Sequence, residues 1–179
     1  FYTMKQCQLT IPGVVYAGPG SVEKINEVLQ REKAQSVLLF TDKAVRGAGL
    51  TKRVEEICSA VKLTVIDDLA SEPSYQDVER VIDEVSVANI DLVIGVGGGS
   101  VMDAAKLASI VIGADYGVRD LLKDPTIAKK YIKSLMIPTT CGTGSEATCN
   151  SIVAIPEEQS KQGIVNNCMI PDYVILDAE

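Results

Sequence analysis

Gly97, Gly98 and Gly99 stand between the apolar run at residues 92–96 and the segment Ser100-Val-Met-Asp103-Ala-Ala-Lys106. Glycines here let the backbone turn sharply and come close to a ligand. Ser100 has the chemistry of a helix N-cap, and Met102, Ala105, Leu107 and Ala108 follow at helical spacing. A helix that starts behind bare glycines presents free N–H groups and the positive end of its dipole, an arrangement that suits phosphate. A tight strand-to-helix turn without a ligand has the same local sequence. The second segment with chemical potential is Pro138-Thr-Thr-Cys-Gly-Thr-Gly-Ser-Glu-Ala-Thr148, which follows the apolar stretch at residues 131–137. Its hydroxyls and exposed amides suit a pyrophosphate, a ribose or a carboxamide, and a polar turn capped by Ser and Thr is the other reading.

Elements that could position these segments are legible around them. Residues 6–18 alternate about Pro12-Gly13 and suggest a β-hairpin. A helix is expected over 21–31, a strand over 36–41, and a helix with Val54, Ile57, Cys58 and Val61 inward. A strand over 63–66 follows, then a helix over 74–89 with the stripe Val78, Val81, Ile82 and Val85. The glycine turn leads into a helix that runs to about Gly113, and residues 114–130 read as a charged connector with short helical turns. Strands are expected over 131–137, 151–155, 163–166 and 173–176, with a polar turn at 157–162. Alternating strands and helices imply right-handed βαβ units, a mostly parallel sheet, and ligands beyond the carboxyl ends of its strands. Asp42, the triglycine and the Thr/Ser segment all follow predicted strands and so fall on that one edge. No internal repeat and no low-complexity segment interrupts the pattern. The fingerprint G-x-G-x-x-G is not met, because reading it from Gly95 puts Ser100 in the last place.

Composition excludes several classes. The 179 residues suffice for one domain with a substantial core, and no apolar run approaches the roughly 20 residues of a membrane helix. A net charge of −7 argues against a nucleic-acid partner. The five cysteines, Cys7, Cys58, Cys141, Cys149 and Cys168, form no C-x-x-C pair, which fits a reducing cytoplasm better than a disulfide scaffold or a zinc site. No signal-peptide pattern is visible, so a cytoplasmic location is expected. There is no histidine at all, so a Ser-His-Asp enzyme or an ordinary metal hydrolase lacks its usual equipment, and Cys141 has no histidine to activate it.

Taken together, Gly97-Gly-Gly-Ser-Val-Met-Asp-Ala-Ala-Lys106 and Pro138-Thr-Thr-Cys-Gly-Thr-Gly-Ser-Glu146 resemble the two signatures of the iron-containing alcohol dehydrogenase family. That family shares its fold with dehydroquinate synthase and glycerol dehydrogenase. Gly18-Pro-Gly-Ser21, Thr41-Asp-Lys43 and Pro171-Asp-Tyr-Val-Ile-Leu-Asp177 are weaker matches in the expected order, so the resemblance covers the whole chain. It implies an α/β, Rossmann-like dinucleotide-binding domain over residues 1–179 and hydride transfer between NAD(H) and a small-molecule alcohol, aldehyde or ketone. It also implies a divalent metal, iron or zinc, held by one Asp and three His in a second, all-helical domain expected beyond residue 179. No catalytic or metal-binding residue is therefore expected in this chain, and Asp177 matches the aspartate of the strand that ends the first domain. The full enzyme is expected to be a homo-oligomer without nucleic-acid or membrane partners.

The resemblance also assigns residues. Gly97, Gly98, Gly99 and Ser100 would contact the pyrophosphate. Asp103 would lie near the dinucleotide or merely balance the helix dipole; Lys106 would reach a phosphate or lie on the helix surface. Asp42 would accept the adenine-ribose hydroxyls and repel a 2′-phosphate, favouring NAD over NADP; the alternative is a turn or helix cap. Thr139, Thr140 and Thr143 would line the cofactor, and Asn150 and Lys161 match positions near the substrate and the nicotinamide ribose. Where the family often has Glu-Pro-Asn-Pro, this chain has Glu72-Pro-Ser-Tyr75, so Ser74 replaces a substrate-facing asparagine. Two other readings share these motifs: a hydroxyacid–oxoacid transhydrogenase, and a free-standing, non-catalytic NAD-binding module.

Overall fold

A computed structural model describes residues 8–179. Its centre is built from strands too apolar to leave either face in water. β2 (Ser36–Phe40) and β4 (Leu92–Gly97) are buried at every position, and β5 (Lys133–Pro138) through most of its length. With β1 (Val14–Ala17), β3 (Lys62–Ile66) and β8 (Tyr173–Leu176) they form a six-stranded, wholly parallel sheet in the order β1-β8-β5-β4-β2-β3. Unbroken apolar runs are the mark of such doubly covered strands.

Alternate residues of each strand supply the two cores. Leu38, Phe40, Val93 and Met136 pack under α4 (Tyr75–Val85), α5 (Gly99–Val111) and α6 (Val118–Lys123). Val37, Leu39, Leu92, Ile94 and Leu135 pack on the other face under α1 (Ile25–Arg31) and α3 (Lys52–Cys58). Burying one such leucine contributes about 2 kcal/mol. Gly95 sets the spacing of β4 against α5, since a Cβ there would stand 2.8 Å from Met136 Sδ and 3.0 Å from Ala105 Cβ.

Three expectations are corrected. The N-terminal hairpin is not formed by the described residues: residues 8–13 carry no strand, and β1 pairs in parallel with β8, while residues 6 and 7 lie outside the described residues. Leu9 and Ile11 are 87% and 67% exposed, so their alternation has no face to bury. An unexpected short helix, α2 (Lys43–Gly47), follows β2. The last correction concerns β6 (Asn150–Ile155) and β7 (Ser160–Val165), which form a separate antiparallel hairpin. The polar stretch expected as a turn to residue 162 is thus strand from Ser160, with Gln159 in the left-handed conformation at the bend. Among the described residues no helix is long and apolar enough to cross a membrane.

Candidate functional site

Parallel pairing sets the ends of β4 and β5 side by side, with Gly97 opposite Pro138. Both signature segments leave the sheet there, and the Thr139 amide donates to Gly97 O at 3.0 Å. α5 begins at Gly99 with Gly98 as its N-cap, so Ser100 is the second residue of the helix and not its cap. Gly98 has no side chain to offer, and the first turn of α5 is left without a side-chain acceptor. Each glycine meets different surroundings. A Cβ on Gly97 would stand 2.9 Å from Val101 Cβ, whereas one on Gly99 would stand 3.2 Å from both Ser145 Oγ and Thr143 Cγ2. On Gly98 it would meet only Thr140, at 3.7 Å. Gly97 and Gly99 thus allow close packing, and Gly98 keeps the approach to the helix end open.

The second segment is shaped by Gly142 and Gly144, at φ +115° and +66°, conformations that L side chains rarely adopt. They turn the chain so that Thr143 and Ser145 lie against the start of α5. The Ser145 amide donates to Thr143 Oγ1 at 3.3 Å.

Asp103 and Lys106 lock this assembly from beneath. Lys106 is fully buried, 2.9 Å from Asp103 Oδ1. Its ammonium also donates to Thr148 Oγ1 at 3.0 Å and to the Asn150 carbonyl. Asp103 Oδ2 accepts from the Ile152 amide at 3.0 Å, and the Ser151 hydroxyl donates to the Asp103 carbonyl at 3.0 Å. Burial pushes the Lys106 amine below the ordinary lysine range, against the pull of Asp103. Lys106 therefore lies neither on the helix surface nor against an open phosphate site. It ties α5 to the start of β6.

The result is a cleft of about 310 Å³ bounded by Gly99, Ser100, Asp103, Thr143, Asn150 and Lys161 among others. Lys161 stands at its rim, paired with Glu72 Oε1 at 2.6 Å. Ser74 lies outside the lining, with its hydroxyl donating to Asp77 Oδ2 at 2.7 Å in a capping box that starts α4. Asp42 sits beyond β2, the other neighbour of β4, as N-cap of α2, and its Oδ1 accepts from the Val45 amide at 2.8 Å. The structure thus brings Gly98, Gly99, Ser100, Thr140 and Thr143 together, with Asn150 and Lys161 across the cleft and Asp42 further along the same edge. Ser145, Thr148 and Glu72 are site neighbours that sequence reading did not single out. The first two lay in plain view within a quoted motif, whereas the Glu72–Lys161 pair spans 89 residues and leaves no local trace. A larger, shallower groove runs along β1 and α1, away from both signatures.

The thiols divide by environment. Cys141 is exposed within the second signature, while burial pushes Cys58 up to about 11. At pH 8 Cys58 is then almost wholly protonated and unreactive, since the thiolate is the nucleophile. Alkylation with iodoacetamide followed by peptide mapping is expected to label Cys141 quickly and to spare Cys58 in the folded protein.

The family model for iron-containing alcohol dehydrogenase matches residues 12–178. The chain belongs to that family. It is 30% identical to the sulfoacetaldehyde reductase of Bilophila wadsworthia over 172 residues, 95% of this chain and 44% of that protein. Long-chain-alcohol dehydrogenase 1 of Geobacillus thermodenitrificans is also 30% identical, over 98% of this chain and 45% of its own length. The crystal structure of a sulfoacetaldehyde reductase from Bifidobacterium kashiwanohense in complex with NAD+ superposes with a TM-score of 0.88. It is 24% identical and covers 97% of this chain and 46% of that one, a likeness of fold. The chain thus spans a little under half the length of these relatives. Iron-containing alcohol dehydrogenases take their family name from a metal. Among the described residues of this chain no group of three or more His, Cys, Asp or Glu is placed to hold one.

Proposed function

We propose that this chain binds NAD(H) along the carboxyl edge of its parallel sheet, as the cofactor-binding part of an oxidoreductase acting on an alcohol and its aldehyde or ketone. The observation that carries this reading is the open, uncapped start of α5 at Gly98, flanked by hydroxyls from the segment that follows the neighbouring strand β5. The residues fit a dinucleotide: the α5 amides suit its pyrophosphate, and Gly98 leaves room for it. Thr139, Thr140 and Thr143 would line its path, and Asp42 has a second carboxylate oxygen for a ribose hydroxyl. Lys161 and Asn150 would face the nicotinamide ribose and the substrate. Asp103 acts through Lys106 and Ile152, holding the cleft wall in place. Ser74 serves α4 as a cap, so the substrate would meet Pro73 rather than a side chain at residue 74. Nicotinamide, when bound, supplies the hydride donor or acceptor. Among the described residues no donor set fits a catalytic metal, and we assign no step through one.

The test is a fluorescence titration with NADH and NADPH. NADH is expected to bind roughly ten- to a hundredfold more tightly, because Asp42 would face the 2′-phosphate. Asp42→Gly is expected to narrow the gap. Equal affinities in the wild type, or no narrowing in the variant, would remove Asp42 from the ribose site. Absence of NADH binding would defeat the whole reading.

A further inference from the structure

One turn beyond Asp42, α2 carries an arginine whose three guanidinium nitrogens are each bonded to a carboxylate. The Arg46 amide donates to Asp42 O at 2.9 Å, so the two residues share the first turn of the helix. The Arg46 guanidinium is forked onto Glu55 of α3, with Nε 3.0 Å from Oε1 and Nη2 3.2 Å from Oε2. Its third nitrogen, Nη1, donates to Asp67 Oδ2 at 2.7 Å. Asp67 directly follows β3, and Glu55 is itself steadied by the buried Thr51 hydroxyl at 2.9 Å. Two carboxylates therefore hold one guanidinium, with a third carboxylate, Asp42, a helical turn away. The network is not core: the side chains of Arg46, Glu55 and Asp67 are 41%, 27% and 27% exposed. Exposed ion pairs of this kind contribute little to stability. Their geometry has a clearer consequence for ligands. An arginine beside a dinucleotide-binding turn is the usual partner of a 2′-phosphate, because its planar fork matches phosphate oxygens.

We propose that Glu55 and Asp67 act as a latch that withholds Arg46 from a 2′-phosphate, so that cofactor choice rests on this network as well as on Asp42. The inference depends on the proposed cofactor site. Removing Asp42 alone takes away a repulsive charge but leaves the nearby arginine occupied. Freeing Arg46 adds an attractive charge where the 2′-phosphate would lie. Asp67 holds the single outer nitrogen, so its loss releases one side of the guanidinium while Glu55 still anchors the other. Lys43, the first residue of α2, has no ion pair among the described residues and is kept in every variant.

Three proteins decide the matter: Asp42→Gly, Asp42→Gly/Asp67→Asn, and Asp42→Gly/Asp67→Asn/Arg46→Met. Their affinities for NADH and NADPH are measured by fluorescence titration, with thermal melting as the check on folding. Asp67→Asn is expected to tighten NADPH binding about tenfold over Asp42→Gly alone, the scale of one charge-assisted contact, with NADH changed less than about threefold. Arg46→Met is expected to abolish that gain. No gain from Asp67→Asn, or a gain that survives Arg46→Met, overturns the latch. Should Asp67→Asn fail to melt cooperatively, Glu55→Gln in the Asp42→Gly background releases the forked side and must give the same Arg46-dependent gain. A wild type that binds NADH normally, with no Arg46-dependent gain in the variants, refutes the latch alone. A wild type that binds no NADH refutes the cofactor site beneath it.

Discussion

Gly98→Val is expected to reduce NADH affinity at least a hundredfold while the protein still folds. The backbone of Gly98 lies at φ −82°, which any residue can adopt, and a Cβ there meets only Thr140 at ordinary contact distance. The cost to folding is that of a poorer N-cap, about 1 kcal/mol. The cost to binding is larger, because the new methyl groups would occupy the space through which a pyrophosphate reaches the α5 amides. A hundredfold loss corresponds to about 2.7 kcal/mol. Gly97→Val is the informative contrast. Its Cβ would collide with Val101 at 2.9 Å, so that variant is expected to lose stability first. NADH titration and thermal melting on both variants separate the roles. Normal NADH affinity in a folded Gly98→Val protein would take the glycine turn out of the cofactor site.

Lys106→Met is expected to destabilise the fold by about 3–5 kcal/mol, the usual result of removing one partner from a buried ion pair. The change strands the Asp103 carboxylate beneath the cleft and removes the donor to Thr148 and the Asn150 carbonyl. Urea unfolding gives the number. The double variant Lys106→Met/Asp103→Leu is expected to recover part of the loss, since no unpaired charge remains. A single variant with near wild-type stability would mean that the pair does not hold β6 to α5.

What could be read from the chain in advance follows the depth of burial. The runs in β2 and β4 and the Val78, Val81, Ile82, Val85 stripe announce themselves because each buries a continuous face. α2 has no buried residue, so it leaves no periodic signal. β7 is exposed except at Ile164 and pairs through its backbone, which residue types do not record. Ser100 and Gly98 are both acceptable helix starts by composition, and only the turn after β4 decides between them. Local sequence leaves Lys106 balanced between surface and phosphate because its partners other than Asp103, Thr148 and Asn150, lie 42 and 44 residues away. The glycines and hydroxyls of the site were legible as types at strand ends; their mutual approach depends on β5 lying beside β4, a matter of strand order that local sequence does not encode.

That strand order has a consequence for how the protein is made. Among the described residues β1 has a single neighbour, β8, and the Asp177 carboxylate reaches back across 155 residues to the Val22 amide. On the ribosome, β2 to β5 and their helices can assemble as they emerge, but Val14 and Val15 must wait for Tyr173 and Val174 before they have a partner. Closing so long a loop is slow, because chain entropy is lost before contacts reward it. During that interval a strand edge of β5 stands bare beside an unplaced apolar segment, the condition under which nascent chains aggregate or recruit chaperones.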